Sequence, residues 1–135
     1  MPTVVSLPAT RRRAVALPCG RRAPAVARHI TERWLETADR PDRVADAVLI
    51  VSELVTNAVR HTQEPCLLTL TVQGAQWDIA VADHSEELPD LHARAGAGAH
   101  GGFGMEIICR LGGEVRIVPA LGGKTVHVLL WLETG

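Results

Sequence analysis

The chain has 135 residues and a net charge of −1, and 47% of its residues are apolar. That suits one domain with a single core able to fold alone. Its aromatic side chains, Trp34, Trp77, Trp131 and Phe103, are too few for a base-stacking platform.

Cys19, Cys66 and Cys109 are odd in number and contain no C-x-x-C pair, which excludes a disulfide framework or a zinc site and suits a reducing cytoplasm. Residues 1–43 carry nine Arg against four acids, whereas residues 44–135 carry five basic and eleven acidic groups. A basic arm of this kind suits an acidic partner or nucleic acid. Its arginines are scattered among Ala, Val and Pro, however, which is not the clustered footprint of a nucleic-acid surface. "RRRAVALPCGRR" imitates a twin-arginine signal, but its apolar run stops at Pro18, and no segment is long enough to span a bilayer. The expectation is a soluble, cytoplasmic protein with no direct nucleic-acid contact and no membrane insertion.

Residues 1–22 alternate short apolar runs with Pro and Arg and read as an N-terminal arm or edge strands; residues 23–135 read as the domain proper. Pro24 suits the first turn of a helix over roughly 24–37, with Val26, Ile30, Trp34 and Leu35 at helical spacing. "TADRPDR" breaks it. A second helix runs from about Asp42 to His61, where Val44, Val48, Val51, Val55 and Val59 step by three and four. So regular a period outweighs the mild helix aversion of β-branched residues.

"CLLTLTV" and "QWDIAVAD" read as strands about a turn at Gly74-Ala75, and a loop runs from His84 to about Gly101. A third helix begins near Gly102 and stops at Gly112-Gly113. "EVRIVP" and "KTVHVLLWL" close the chain as a hairpin around "ALGG".

Two phosphate-binding motifs are imitated and fail. "GAGAHG" matches G-x-G-x-x-G, yet no strand precedes it directly and no acid stands where a dinucleotide fold needs one. "GGKT" resembles the end of a P-loop, yet Val118 stands where glycine is required, and a strand comes next rather than a helix.

One constellation survives. Glu53, Asn57 and His61 step by four along the second helix and share a stripe with Asp46 and Arg60. Any amphipathic helix presents such a stripe to water, so the order of the later segments carries the weight. "ELVTNAVRH" (Glu53 through His61) is an E-L-x-x-N-A-x-x-H segment. A strand ends in Asp83, with Ser85 and Pro89 in a D-x-S-x-x-x-P spacing. Gly102-Phe103-Gly104-Met105 is a G-x-G-[LM] turn into a helix. Gly122, Gly123, Lys124 and Thr125 form a turn before the last strand.

This succession resembles the GHKL superfamily of ATP-binding domains, and within it most nearly the single-domain anti-sigma-factor serine kinases, over roughly residues 20–132. The resemblance implies an α/β two-layer sandwich of the Bergerat type, a mixed, mostly antiparallel sheet with helices on one face. It implies ATP and Mg²⁺ as cofactors, with a sigma factor and an anti-anti-sigma (STAS-type) protein as partners, and a homodimer. Asn57 would supply an oxygen ligand to Mg²⁺, a hard cation that takes few protein groups. Glu53 would orient or deprotonate a hydroxyl or water near the γ-phosphate. Asp83 would accept from the exocyclic amine of adenine, and Gly102 and Gly104 would let phosphate approach a helix N-terminus. His61, Ser85, Phe103, Met105 and Thr125 complete the expected nucleotide contacts.

Residues 84–101 would be a lid in which Gly96 and Gly98 give mobility and His92, Arg94 or His100 could reach the γ-phosphate. Departures from the family pattern are His84-Ser85 after the strand where many relatives have Asp-x-Gly, Phe103 where the serine kinases often show a small or basic residue, and Lys124 where larger relatives often have Thr. Three readings remain open: a serine/threonine kinase acting on the anti-anti-sigma partner, a nucleotide-gated binding module without turnover, and a structural or nucleic-acid protein that uses the basic arm and has the glycines as plain loop.

Overall fold

The computed structural model describes Thr3 and residues 10–38, 40–87 and 102–132. In chain order these residues form β1 (Thr10–Leu17), α1 (Ala23–Trp34), α2 (Pro41–His61), β2 (Cys66–Gln73), β3 (Gln76–Asp83), α3 (Gly102–Arg110), β4 (Glu114–Ala120) and β5 (Gly123–Trp131). The loop assigned to residues 84–101 is described only as far as Glu87, so Pro89, His92, Arg94, Gly96, Gly98 and His100 lie outside the described residues.

Both long helices open on proline, whose fixed φ suits a first turn and whose missing N–H is not needed there. Helix α1 buries Ala23, Ala27 and Thr31, four residues apart, and so presents a narrow face of small side chains. The buried Thr31 hydroxyl donates to the Ala27 carbonyl at 2.8 Å, which satisfies it inside the apolar layer. Arg28 donates to Ser52 Oγ at 3.0 Å and ties α1 to α2. Helix α2 buries Ala47, Ile50, Val51, Leu54, Val55 and Ala58, the valine-rich stripe read from the sequence together with its neighbours.

The strands make one five-stranded sheet in the order β1-β2-β3-β5-β4. The expected mostly antiparallel sheet is not mixed among the described residues, since every pairing in it is antiparallel. Strand β5 inserts between β3 and β4, so these two strands, which run in the same direction, never touch. The β2–β3 and β4–β5 hairpins each turn in two residues, with Gln73 opposite Gln76 and Ala120 opposite Gly123. Such turns need left-handed backbone, and Gly74 (φ 58°) and Gly122 (φ 76°) supply it.

Period-two alternation assigns the two faces of the sheet. Leu68 and Leu70 of β2, Trp77, Ile79 and Val81 of β3, and Val126, Val128 and Leu130 of β5 are buried against the helices, together with Ile108 of α3. The other face carries Arg12, Thr69, Thr71, Asp78, Thr125 and His127, which line a shallow hollow of about 350 Å³. The architecture is a two-layer α/β sandwich with helices on one face. Among the described residues, no helix is long and apolar enough to cross a membrane.

Candidate nucleotide site

Helix α2 meets α1 along the flank that carries Ser52. Its opposite flank faces the C-terminal end of α3, where Arg43 donates to the Leu111 carbonyl at 3.1 Å. Helical geometry sets Asp46, Glu53 and Asn57 on this second flank, with Glu53 and Asn57 one turn apart. Both are half-buried, and neither has a hydrogen bond or ion pair among the described residues. A carboxylate beside an amide, both without a side-chain partner among the described residues, is a donor set fit for a hydrated cation. His61 is the last residue of α2.

Helix α3 starts at Gly102, so Gly102, Phe103, Gly104 and Met105 form its first turn, with no acidic residue among them. The first-turn N–H groups of a helix have no acceptor within the helix itself, and a first turn without an acidic residue keeps that positive end suited to phosphate. The Glu53–Asn57 pair and the first turn of α3 each have the chemistry that a metal–triphosphate group takes, oxygen donors on the one and main-chain N–H groups on the other.

The end of β3 is more unexpected. Asp83 faces the helix layer, in phase with Trp77, Ile79 and Val81, and is buried. Its Oδ1 accepts the Ser85 backbone N–H at 2.9 Å, and the Ser85 hydroxyl in turn accepts from the Glu87 N–H at 3.2 Å. Directly across the ladder stands Lys124. Its Nζ lies 3.0 Å from each Asp83 carboxylate oxygen and 3.1 Å from the Ser85 carbonyl oxygen. The two side chains are 1% and 3% exposed. Three N–H donors meet three acceptors, the condition under which a buried ammonium is tolerated. Removing one partner of such a pair leaves an uncompensated charge and costs about 3–5 kcal/mol.

Of the residues expected to bind nucleotide, Glu53 and Asn57 share one helix flank, and Asp83 and Ser85 share one turn. Thr125 does not join them. It pairs with Ala82 and lines the hollow on the opposite face of the sheet, because one residue along a strand reverses the direction of the side chain. Lys124 is the residue of that turn on the helix side, and sequence reasoning gave it no role. The signal was available: Lys124 is in phase with Val126, Val128 and Leu130.

Comparison with known proteins points the same way. The profile of the histidine kinase-like ATPase domain matches residues 20–130. Among curated proteins no significant match is found. In structure the chain is similar to the RsbU and RsbW domains of Rv1364c from Mycobacterium tuberculosis, with a TM-score of 0.65 and 22% identity over 93% of this chain and 33% of that one. It is also similar to the Acinetobacter baumannii histidine kinase AdeS, with a TM-score of 0.54 and 12% identity over 92% of this chain and 70% of that one. A third is the histidine kinase domain of the Erythrobacter litoralis EL346 blue-light activated kinase, with a TM-score of 0.50 and 21% identity over 82% of this chain and 58% of that one. The chain spans a third of the length of the first of these, and at such identities the likeness is one of fold. With the profile covering most of the sequence and the same sandwich in all three structures, the chain belongs to the histidine kinase-like ATPase domain family.

Proposed function

We propose that this domain is a cytoplasmic, ATP-dependent serine/threonine kinase of the anti-sigma type. It would phosphorylate an anti-anti-sigma (STAS-type) partner and sequester a sigma factor as a homodimer. The observation that carries the reading is the Glu53–Asn57 pair, one turn apart, half-buried and unpartnered among the described residues on the flank of α2 that faces α3. The nucleotide would supply the transferable γ-phosphoryl group. Asn57 would offer its amide oxygen to Mg²⁺ without adding charge. The Glu53 carboxylate would take the proton of the acceptor hydroxyl. The acid-free first turn of α3 would hold phosphate oxygens on its N–H groups, and Asp83 would read the base.

A basic concavity between β1 and α1, about 500 Å³ and lined by Arg12, Arg13, His29, Arg33, Trp34 and Glu36, suits an acidic segment of a protein partner. The RsbW domain in the name of one structural relative supports an anti-sigma role.

The test is thermal unfolding with Mg·ATP against Mg·GTP, and then label transfer from γ-labelled ATP to STAS-type proteins. A ligand at a hundred times its dissociation constant adds about 2.7 kcal/mol. No stabilisation by ATP would end the reading. A second reading, a nucleotide-gated binding module without turnover, draws support from the ammonium on Asp83, which closes the base-reading carboxylate. Tight ATP binding with no labelled partner would favour it.

A further inference from the structure

Among the described residues, Asp83 and Lys124 are the charged residues buried in the protein, and they are buried against each other. A strand position in phase with Val126 and Val128 would be filled at least cost by an apolar side chain. The lysine there needs an acceptor set, and the fold supplies one in full. Gly123 makes it possible: a Cβ at that position would overlap the Asp83 backbone carbonyl, so only glycine lets β5 lie close enough for Lys124 to reach across.

The carboxylate has roughly four lone-pair positions. On Oδ1 one is taken by the Ser85 N–H and one by Lys124; on Oδ2 one is taken by Lys124. With the Asp83 side chain 3% exposed, an exocyclic amine arriving from outside meets a carboxylate that is already neutralised and covered. The ammonium is a point charge on a flexible four-carbon stem, not a rigid planar fork.

We propose that Lys124 is a gating and specificity residue, an internal cation that occupies Asp83 in the nucleotide-free protein and is displaced by the amino group of an adenine base. The inference rests on the ATP reading above and adds to it a competitor within the site. A base bearing a carbonyl in place of the amine offers Asp83 an acceptor instead of a donor, and so does not displace Lys124. Adenine selectivity is then set by the exchange of one donor for another, and wild-type affinity for ATP is held down by the pair that must open.

Two measurements test this. In wild type, nitrogen-edited NMR of the single lysine ammonium of the sequence should show the buried Lys124 signal shift or vanish on saturation with Mg·ATP and stay in place with the same concentration of Mg·ITP. By calorimetry, Lys124→Thr should bind Mg·ATP about tenfold or more tightly than wild type, with Mg·ITP affinity changed by less than about threefold. The proposal needs both results. An ammonium unmoved at ATP saturation, or an ATP affinity unchanged or weakened in a folded Lys124→Thr, overturns it while leaving the ATP reading intact. If Lys124→Thr does not fold, the wild-type ammonium decides alone. If wild type takes up no ATP, the ATP reading and this inference fail together.

Discussion

Gly123 stands so close to Asp83 that a single added methyl group would overlap the aspartate's carbonyl oxygen and press on the Cα of His84. Neither neighbour is a flexible side-chain end, so the backbone must give. Gly123→Ala should therefore destabilise the protein by roughly 1–3 kcal/mol, the usual cost of overpacking. Gly122→Asn is the control. Gly122 has open space around it and a φ of 76°, which asparagine tolerates. Urea denaturation of the two variants beside wild type should separate them clearly.

Glu53 and Asn57 should part company in kinetics. Glu53→Gln keeps shape and hydrogen bonding but cannot take a proton, so phosphotransfer should fall by roughly a hundred- to ten-thousandfold while ATP affinity holds. Asn57→Ala removes a metal ligand, so Mg-dependent ATP binding should weaken about tenfold or more. Both sit half-exposed on α2 and neither change should move the melting temperature much. Equal loss of transfer and binding in Glu53→Gln would remove its role as base.

Much of this molecule is legible in its sequence because its periods are clean. The valine stripe of α2 places that helix to within a residue, and the Gly-Ala and Leu-Gly turns place both hairpins. Glu53 and Asn57 emerge from simple i, i+4 spacing. At the far end of the expected site, the resemblance gives Thr125 to the nucleotide, whereas alternation along β5 turns Lys124 to the helix side and Thr125 to the opposite face. Parity counted backwards from Leu130 puts the lysine inside. The partner that makes its burial tolerable cannot be read in this way, because only the pairing of β3 with β5 shows that Asp83 lies opposite it.

Arg43 should prove a structural keystone. Its guanidinium lies 2.6 Å from Asp46, donates to the Leu111 carbonyl at 3.1 Å and to the Trp131 carbonyl at 3.4 Å. It thus joins the start of α2 to the end of α3 and the end of β5. Arg43→Met keeps the apolar stem and loses these bonds, for an expected loss of about 2 kcal/mol. Arg43→Lys should recover little of it, since a point-like ammonium cannot span three acceptors set so far apart. Urea midpoints of the three proteins check this, and a lysine variant as stable as wild type would refute it.

Cys66 offers a reporter of the buried end of the site. Cys19 and Cys109 are exposed and Cys66 is buried, so a thiol reagent should modify two thiols quickly and the third only as the protein unfolds. Burial, aided by the negative charge of Asp83, pushes the Cys66 thiol up from its ordinary value. That shift destabilises the fold in alkali only. Below about pH 8.5, the ordinary value for a free thiol, both states keep the proton and stability is unaffected. As pH rises beyond that, the unfolded chain releases the proton while the folded protein holds it, so stability falls until the raised folded value is passed. Cys66→Ala should flatten that alkaline decline. The comparison is urea midpoints at neutral and alkaline pH for wild type and variant, and an equal decline in both would show that Cys66 is not its source.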